Sequence, residues 1–235
     1  MTETNTETNT ETNREKSTDP AEFPYFPAVA PPVFSDAAPT RALILPVLDA
    51  LAEVVEVPQD ALDGPTPCAS YTVRQLRDHV LGWLQFFAAA LADQDRATRL
   101  DPDAYRTEED PRPASEVVRQ ASDRIAAALT GGALARQAVM SSSRMDGPAV
   151  VAMALGEYLV HGWDLAVATG RDWTPSEPAC AAGHEFFAAV VAPEYRSPDG
   201  GGGFFGPEVP VPDDAGALAR LLGFAGRDPR WTRRG

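Results

Sequence analysis

Glu157, His161 and Asp164 fall at spacings of four and three residues inside GEYLVHGWDLA, residues 156–166. On a helix that spacing puts all three on one face. Their neighbours Val150, Val151, Met153, Leu155, Leu159 and Leu165 are core residues by type. Burying ionisable groups among them is costly unless they are paired or hold a metal. The chain has three histidines, His79, His161 and His184. His79 stands on the apolar stripe of another helical segment, beside Leu76, Trp83, Phe86, Phe87 and Ala90. Two imidazoles and one carboxylate form a ligand set for a catalytic zinc that keeps a coordination position open. The same donors suit iron, nickel or manganese. The competing reading is a buried hydrogen-bond network with no ion.

Other residues are weighed around that set. Asp164 either orients a ligand histidine, as metal-bound imidazoles usually require, or pairs with an arginine at the bundle end. Trp83, one turn beyond His79, is a candidate pocket wall. Arg144, in SSSRMDG, could grip a carboxylate or phosphate if that segment crosses the bundle mouth. His184 could touch substrate or shuttle a proton if its helix borders the pocket. Cys180 lies four residues before His184 and Cys68 lies in a loop; both are expected to be structural free thiols. GGGGFFG, residues 200–206, is a candidate lid and not a phosphate loop, since no Lys-Ser/Thr follows it.

Periodicity supplies the elements that must hold these groups. Apolar spacing predicts helices over 38–57, with Pro46 as a kink, over 72–94 behind a Thr72 cap, over 113–129, over 148–168 and over 177–191. A short final helix is expected within 213–224. Residues 133–147 read as an extended or irregular crossing. Strand signals are thin, so the fold class is mostly α, with four long amphipathic helices forming a bundle. Residues 37–231 read as one domain. Residues 1–36 read as an arm: MTETNTETNTETNREK repeats TETN three times, and FPYFPAVAPPVF follows with prolines at 24, 27, 31 and 32. The arm is expected to be a flexible leader, with the domain or a partner subunit as places for it to lie. A homodimer is one use for its aromatic residues.

Composition narrows the function. The net charge is −14 and the pI near 4.6. An acidic surface argues against nucleic-acid and anionic-membrane partners. The N-terminal segment has no apolar signal region, and no run reaches the ~18 apolar residues of a membrane span. A cytoplasmic protein with a small-molecule substrate is the expectation.

TPCASYTVRQLRDHVLGW, then GEYLVHGWDLAVATGR, then LLGFAGRDPRW together resemble the DinB-like superfamily. More narrowly, they resemble its branch around mycothiol-dependent maleylpyruvate isomerase. The resemblance covers about residues 37–231. It implies a four-helix bundle of up-down-down-up connectivity and a divalent metal held by His79, Glu157 and His161. Tyr71 stands where the branch usually has Trp. The branch's isomerases carry a further C-terminal domain, and this chain runs only four residues past Trp231. We therefore expect the metal site to carry over and maleylpyruvate isomerisation not to. The expected function is a metal-dependent small-molecule enzyme, a thiol transferase or isomerase using a mycothiol-like thiol, with water and hydrolysis as the lesser option. Zinc is the first metal expected, with nickel or iron as others. The rival is a non-catalytic metal- or small-molecule-binding bundle; a closed four-ligand sphere including Cys180 or His184 would favour it.

Overall fold

In the computed structural model the described residues are 24–92, 97, 99–140, 143–197 and 205–233. The TETN repeats and most of GGGGFFG lie outside them, as do Ser141 and Ser142. Helices α1 (Ala37–Val54), α2 (Val73–Ala92), α3 (Ala114–Thr130) and α4 (Gly147–Ala168) are the bundle, with α5 (Glu177–Val190) and α6 (Ala217–Phe224) packed outside α4. Strands β1 (Gln137–Met140) and β2 (Ser143–Asp146) pair antiparallel in the stretch expected to be extended or irregular.

Local chemistry explains the helix starts. Asp36 caps α1, accepting from the Ala38 amide at 3.0 Å. Thr72 and Gln75 close a reciprocal capping box on α2: the Gln75 amide donates to Thr72 Oγ1 at 3.4 Å, and the Thr72 amide donates to Gln75 Oε1 at 2.9 Å. Ser176 caps α5. Pro46 sits inside α1, which continues past it to Val54. Gly132 and Gly170, both at positive φ, lie just past the ends of α3 and α4.

Polar contacts between helix ends set the connectivity. Arg41, at the start of α1, donates to the Ala126 carbonyl near the end of α3. Glu56, just past α1, accepts from the Ser115 amide at the start of α3. So α1 and α3 are antiparallel. Arg171, just past α4, reaches the carbonyls of Glu53 and Glu56, so α4 runs parallel to α1. Arg136 donates to the Leu91 carbonyl at the end of α2, and its own carbonyl accepts from the Gly147 amide at the start of α4. So α2 opposes α4. The order is up-down-down-up. Helices α1 and α2 each pack against both α3 and α4.

Helix α4 is the centre of the molecule. It is long and apolar enough to cross a membrane by length and mean hydropathy alone, although Glu157, His161 and Asp164 interrupt its apolar residues. Most of it is buried by its neighbours, as the core helix of a bundle must be. Two glycines let those neighbours approach. Phe187 of α5 lies over Gly156, and Trp173 over Gly162; a Cβ at either position would come within 2.4 Å of a ring carbon.

The described part of the arm lies on the domain. Phe26 donates its amide to the Arg144 carbonyl, Arg144 donates its own to the Pro24 carbonyl, and Phe34 is fully buried.

Candidate metal centre

Because α2 and α4 run antiparallel in contact, His79 faces the polar stripe of α4. His79 Nε2 lies 2.9 Å from Glu157 Oε1. His161 Nε2 lies 3.4 Å from the same oxygen. One donor atom from each of the three residues falls within 4.8 Å of the other two. Donors sharing one ion at 2.0–2.2 Å stand about 3.3 Å apart in a tetrahedron. The spacings therefore fit a divalent cation with small side-chain adjustments. Glu157 keeps 26% of its side chain exposed, so the cluster opens to solvent on one side.

The outer nitrogens of both rings are occupied. His161 Nδ1 lies 2.9 Å from Asp164 Oδ2, and Asp164 has no exposed surface. Tyr71 Oη lies 3.3 Å from His79 Nδ1, and its ring stacks on His79 at 5.0 Å. Such contacts fix ring orientation and leave the inner nitrogens for a metal. Asp164 also receives Arg227, whose Nη2 is 3.2 Å from Oδ2. The two alternatives weighed for Asp164 thus hold together: it contacts the histidine and pairs with an arginine.

Charge follows from these contacts. Burial works to raise the Glu157 carboxyl, but His161 and His79 outweigh it and hold the group at about 2. Burial likewise opposes ionisation of Asp164, and Arg227 and His161 keep it below the usual carboxylate range. Burial raises the Tyr71 phenol, with Cys68 and Glu157 adding to the effect.

Cys68, His161 and Asp164 form a second group of donors within 4.8 Å of one another. The Arg227 guanidinium already neutralises Asp164 there, and a second cation beside it would be repelled. Burial raises the Cys68 thiol despite Arg227. We read this group as support for His161.

Other sequence candidates fall elsewhere. Trp83 flanks His79 at 6.2 Å between ring centroids and donates its indole N–H to Asp103 Oδ1 at 3.1 Å. Arg144 lies on β2 and donates to Gln137 on β1, at the opposite end of α4 from the cluster. His184 packs edge-on against Phe224 on the far side of α4, where burial and Arg220 lower its pKa. Arg227 and Tyr71 were not assigned to the site from sequence, although both sit in the quoted motifs GRDPRW and TPCASYTV. A cleft of about 390 Å³ is lined by Glu53, Glu56, Arg119 and Arg171 at the other side of α1, away from these donors. Glu53 pairs with Arg119, and Glu56 and Arg171 are bonded to backbone, so we assign it no chemistry.

A family model described as the mycothiol maleylpyruvate isomerase N-terminal domain matches residues 44–166. The chain belongs to that family. The match spans His79, Glu157 and His161 and stops just past Asp164, leaving Arg227 outside it. Two Mycobacterium tuberculosis relatives, from strains CDC 1551 and H37Rv, carry names that call them uncharacterized. Each is 30% identical over 190 residues, covering 77% of this chain and 94% of the relative. No solved structure matches the chain. Membership in the mycothiol maleylpyruvate isomerase N-terminal domain family agrees with the mostly helical bundle and makes the protein a mycothiol-related, DinB-like one.

Proposed function

We propose that this protein is a metal-dependent small-molecule enzyme, a thiol transferase or isomerase working with a mycothiol-like thiol. His79, Glu157 and His161 hold the divalent cation, zinc first among the candidates and nickel or iron next. The observation that carries the reading is the double grip on His161, with Nδ1 on a buried carboxylate and Nε2 turned toward Glu157 and His79. A buried Asp164–Arg227 pair is a costly way to hold one imidazole unless that imidazole does work. A divalent cation bound there would polarise a substrate and lower the pKa of a thiol or water. The protein's own part is to keep Glu157 ionised, hold both rings by their outer nitrogens and leave one side of the cluster open to solvent. Two unpaired cysteines suit a reducing cytoplasm, where low-molecular-weight thiols are kept reduced.

Metal content per chain tests this. The protein is purified without chelator or a histidine tag and compared with His79→Ala/His161→Ala. About one zinc, nickel or iron per chain, lost in the variant, is expected. Wild type that is folded yet refuses added metal would leave a buried polar network, a reading favoured by the direct His79–Glu157 contact of 2.9 Å. Stoichiometric metal with no turnover of any thiol–electrophile pair would favour the non-catalytic bundle.

A further inference from the structure

A second cleft, of about 220 Å³, is lined by Trp83, the neighbour of His79. Its walls are Trp83 and Phe86 of α2, Leu100, Asp101 and Asp103 of the connection to α3, and Val139 of β1. Trp83 belongs to both places, lining the cleft and standing 6.2 Å from His79. Its ring cannot turn freely, because the indole N–H is held by Asp103 and the ring packs edge-on against Phe86 at 5.4 Å.

We propose that this cleft binds the non-reacting end of the substrate and that it selects a small aromatic or apolar group bearing a positive charge. Size sets the first limit. The cleft lies below the ~300 Å³ at which drug-sized sites begin, so it admits about one ring. The walls set the second. An indole face and a phenyl ring offer stacking and cation–π attraction, and Leu100 and Val139 offer apolar contact. Charge sets the third. Asp101 and Asp103 are the ionisable residues in the lining, and no lysine or arginine lines it among the described residues. Arg106, close in sequence, is turned onto the backbone carbonyls of Asp103 and Tyr105. A carboxylate-bearing ligand would be repelled by both aspartates, whereas an ammonium would be attracted by them. The proposal rests on the metal reading for which end of the substrate reacts, but binding in the cleft does not require the metal.

The test uses three one-ring probes of similar size on the full chain: benzylamine, benzyl alcohol and benzoate. Each is titrated while the Trp83 indole N–H is followed by NMR, with the resonance assigned through Trp83→Phe. Titrations are run on metal-free and metal-loaded protein, with metal content measured alongside. Benzylamine is expected to shift the Trp83 signal and to bind about tenfold tighter than benzoate, with benzyl alcohol between them. Asp101→Asn/Asp103→Asn is expected to erase that preference while keeping the fold and the metal content, since asparagine can still accept from the indole. A Trp83 signal that no probe moves would overturn the proposal, as would benzoate matching benzylamine or a preference that survives the double substitution. Amine binding in a protein that takes no metal would defeat the metal reading alone. Metal uptake with no amine binding would defeat the cleft alone.

Discussion

Asp164 Oδ2 lies 2.9 Å from His161 Nδ1 inside the bundle, and the same carboxylate oxygen accepts Arg227 at 3.2 Å. His161 is thereby tied to the C-terminal segment through one fully buried group. Asp164→Asn keeps an acceptor for His161 but removes the charge facing Arg227. Breaking one side of a buried pair typically costs about 3–5 kcal/mol. Loss of a carboxylate behind a metal-bound imidazole typically weakens metal affinity 10–100-fold, about the loss we expect here. Urea unfolding and metal titration check the two effects. Asp164→Asn/Arg227→Met should recover part of the stability and little of the affinity; recovery of both would mean that Asp164 serves only the ion pair.

Gly162→Ala tests the approach of Trp173 to α4. Alanine in a helix interior normally gains about 1 kcal/mol over glycine. Here its Cβ would stand 2.3 Å from the Trp173 ring, and the indole is anchored by its N–H on the Leu159 carbonyl. Overpacking of about 1–3 kcal/mol should win, so the variant unfolds at lower urea. Trp173→Ala in the same background should relieve the clash. A Gly162→Ala protein more stable than wild type would show that Trp173 shifts freely.

The two cysteines should differ in reactivity. Burial pushes the Cys180 thiol to about 12, and the residue has no exposed surface. At about pH 8 only ~1 in 10,000 Cys180 groups would be thiolate, against roughly a quarter of an ordinary cysteine. Cys68 is partly exposed and raised by burial as well. Iodoacetamide should label Cys68 slowly and leave Cys180 untouched until urea is added, as peptide mass mapping would read. Labelling of native Cys180 at the rate of Cys68 would contradict its burial.

Acid stability should depend in part on Asp110. Its hydrogen bonds from Arg112 hold the carboxyl at about 2. The folded-state pKa is depressed, so the contribution is fully present above the unfolded value near 4. It is lost as pH falls from there through about 2. Asp110→Asn should flatten that limb of the stability curve. At neutral pH it should cost about 1.5 kcal/mol, the low end for a charge-assisted hydrogen bond, because Arg112 is 32% exposed and solvent-screened. An unchanged curve between about pH 4 and 2 would assign acid sensitivity to other carboxylates.

The sequence by itself determined what repeats within one helical turn. The polar stripe of α4, the apolar face around His79 and the Thr72 cap each depend on residues three or four apart, bonded within their own segment. A reader of the chain can therefore name His79, Glu157, His161 and Asp164 and place them on helix faces. The tertiary structure decided what meets across the chain. His79 and Glu157 are 78 positions apart, and Asp164 and Arg227 are 63. No local period encodes such distances; they follow from which helix ends share a pole of the bundle. The same packing paired residues 137–140 with 143–146 and left Arg144 at the far end of α4. It also brought Asp103 onto Trp83 from a connection whose local sequence shows no sign of a binding wall. Helix faces are set by hydrogen bonds inside a segment, whereas a site is set by which faces the buried core forces together.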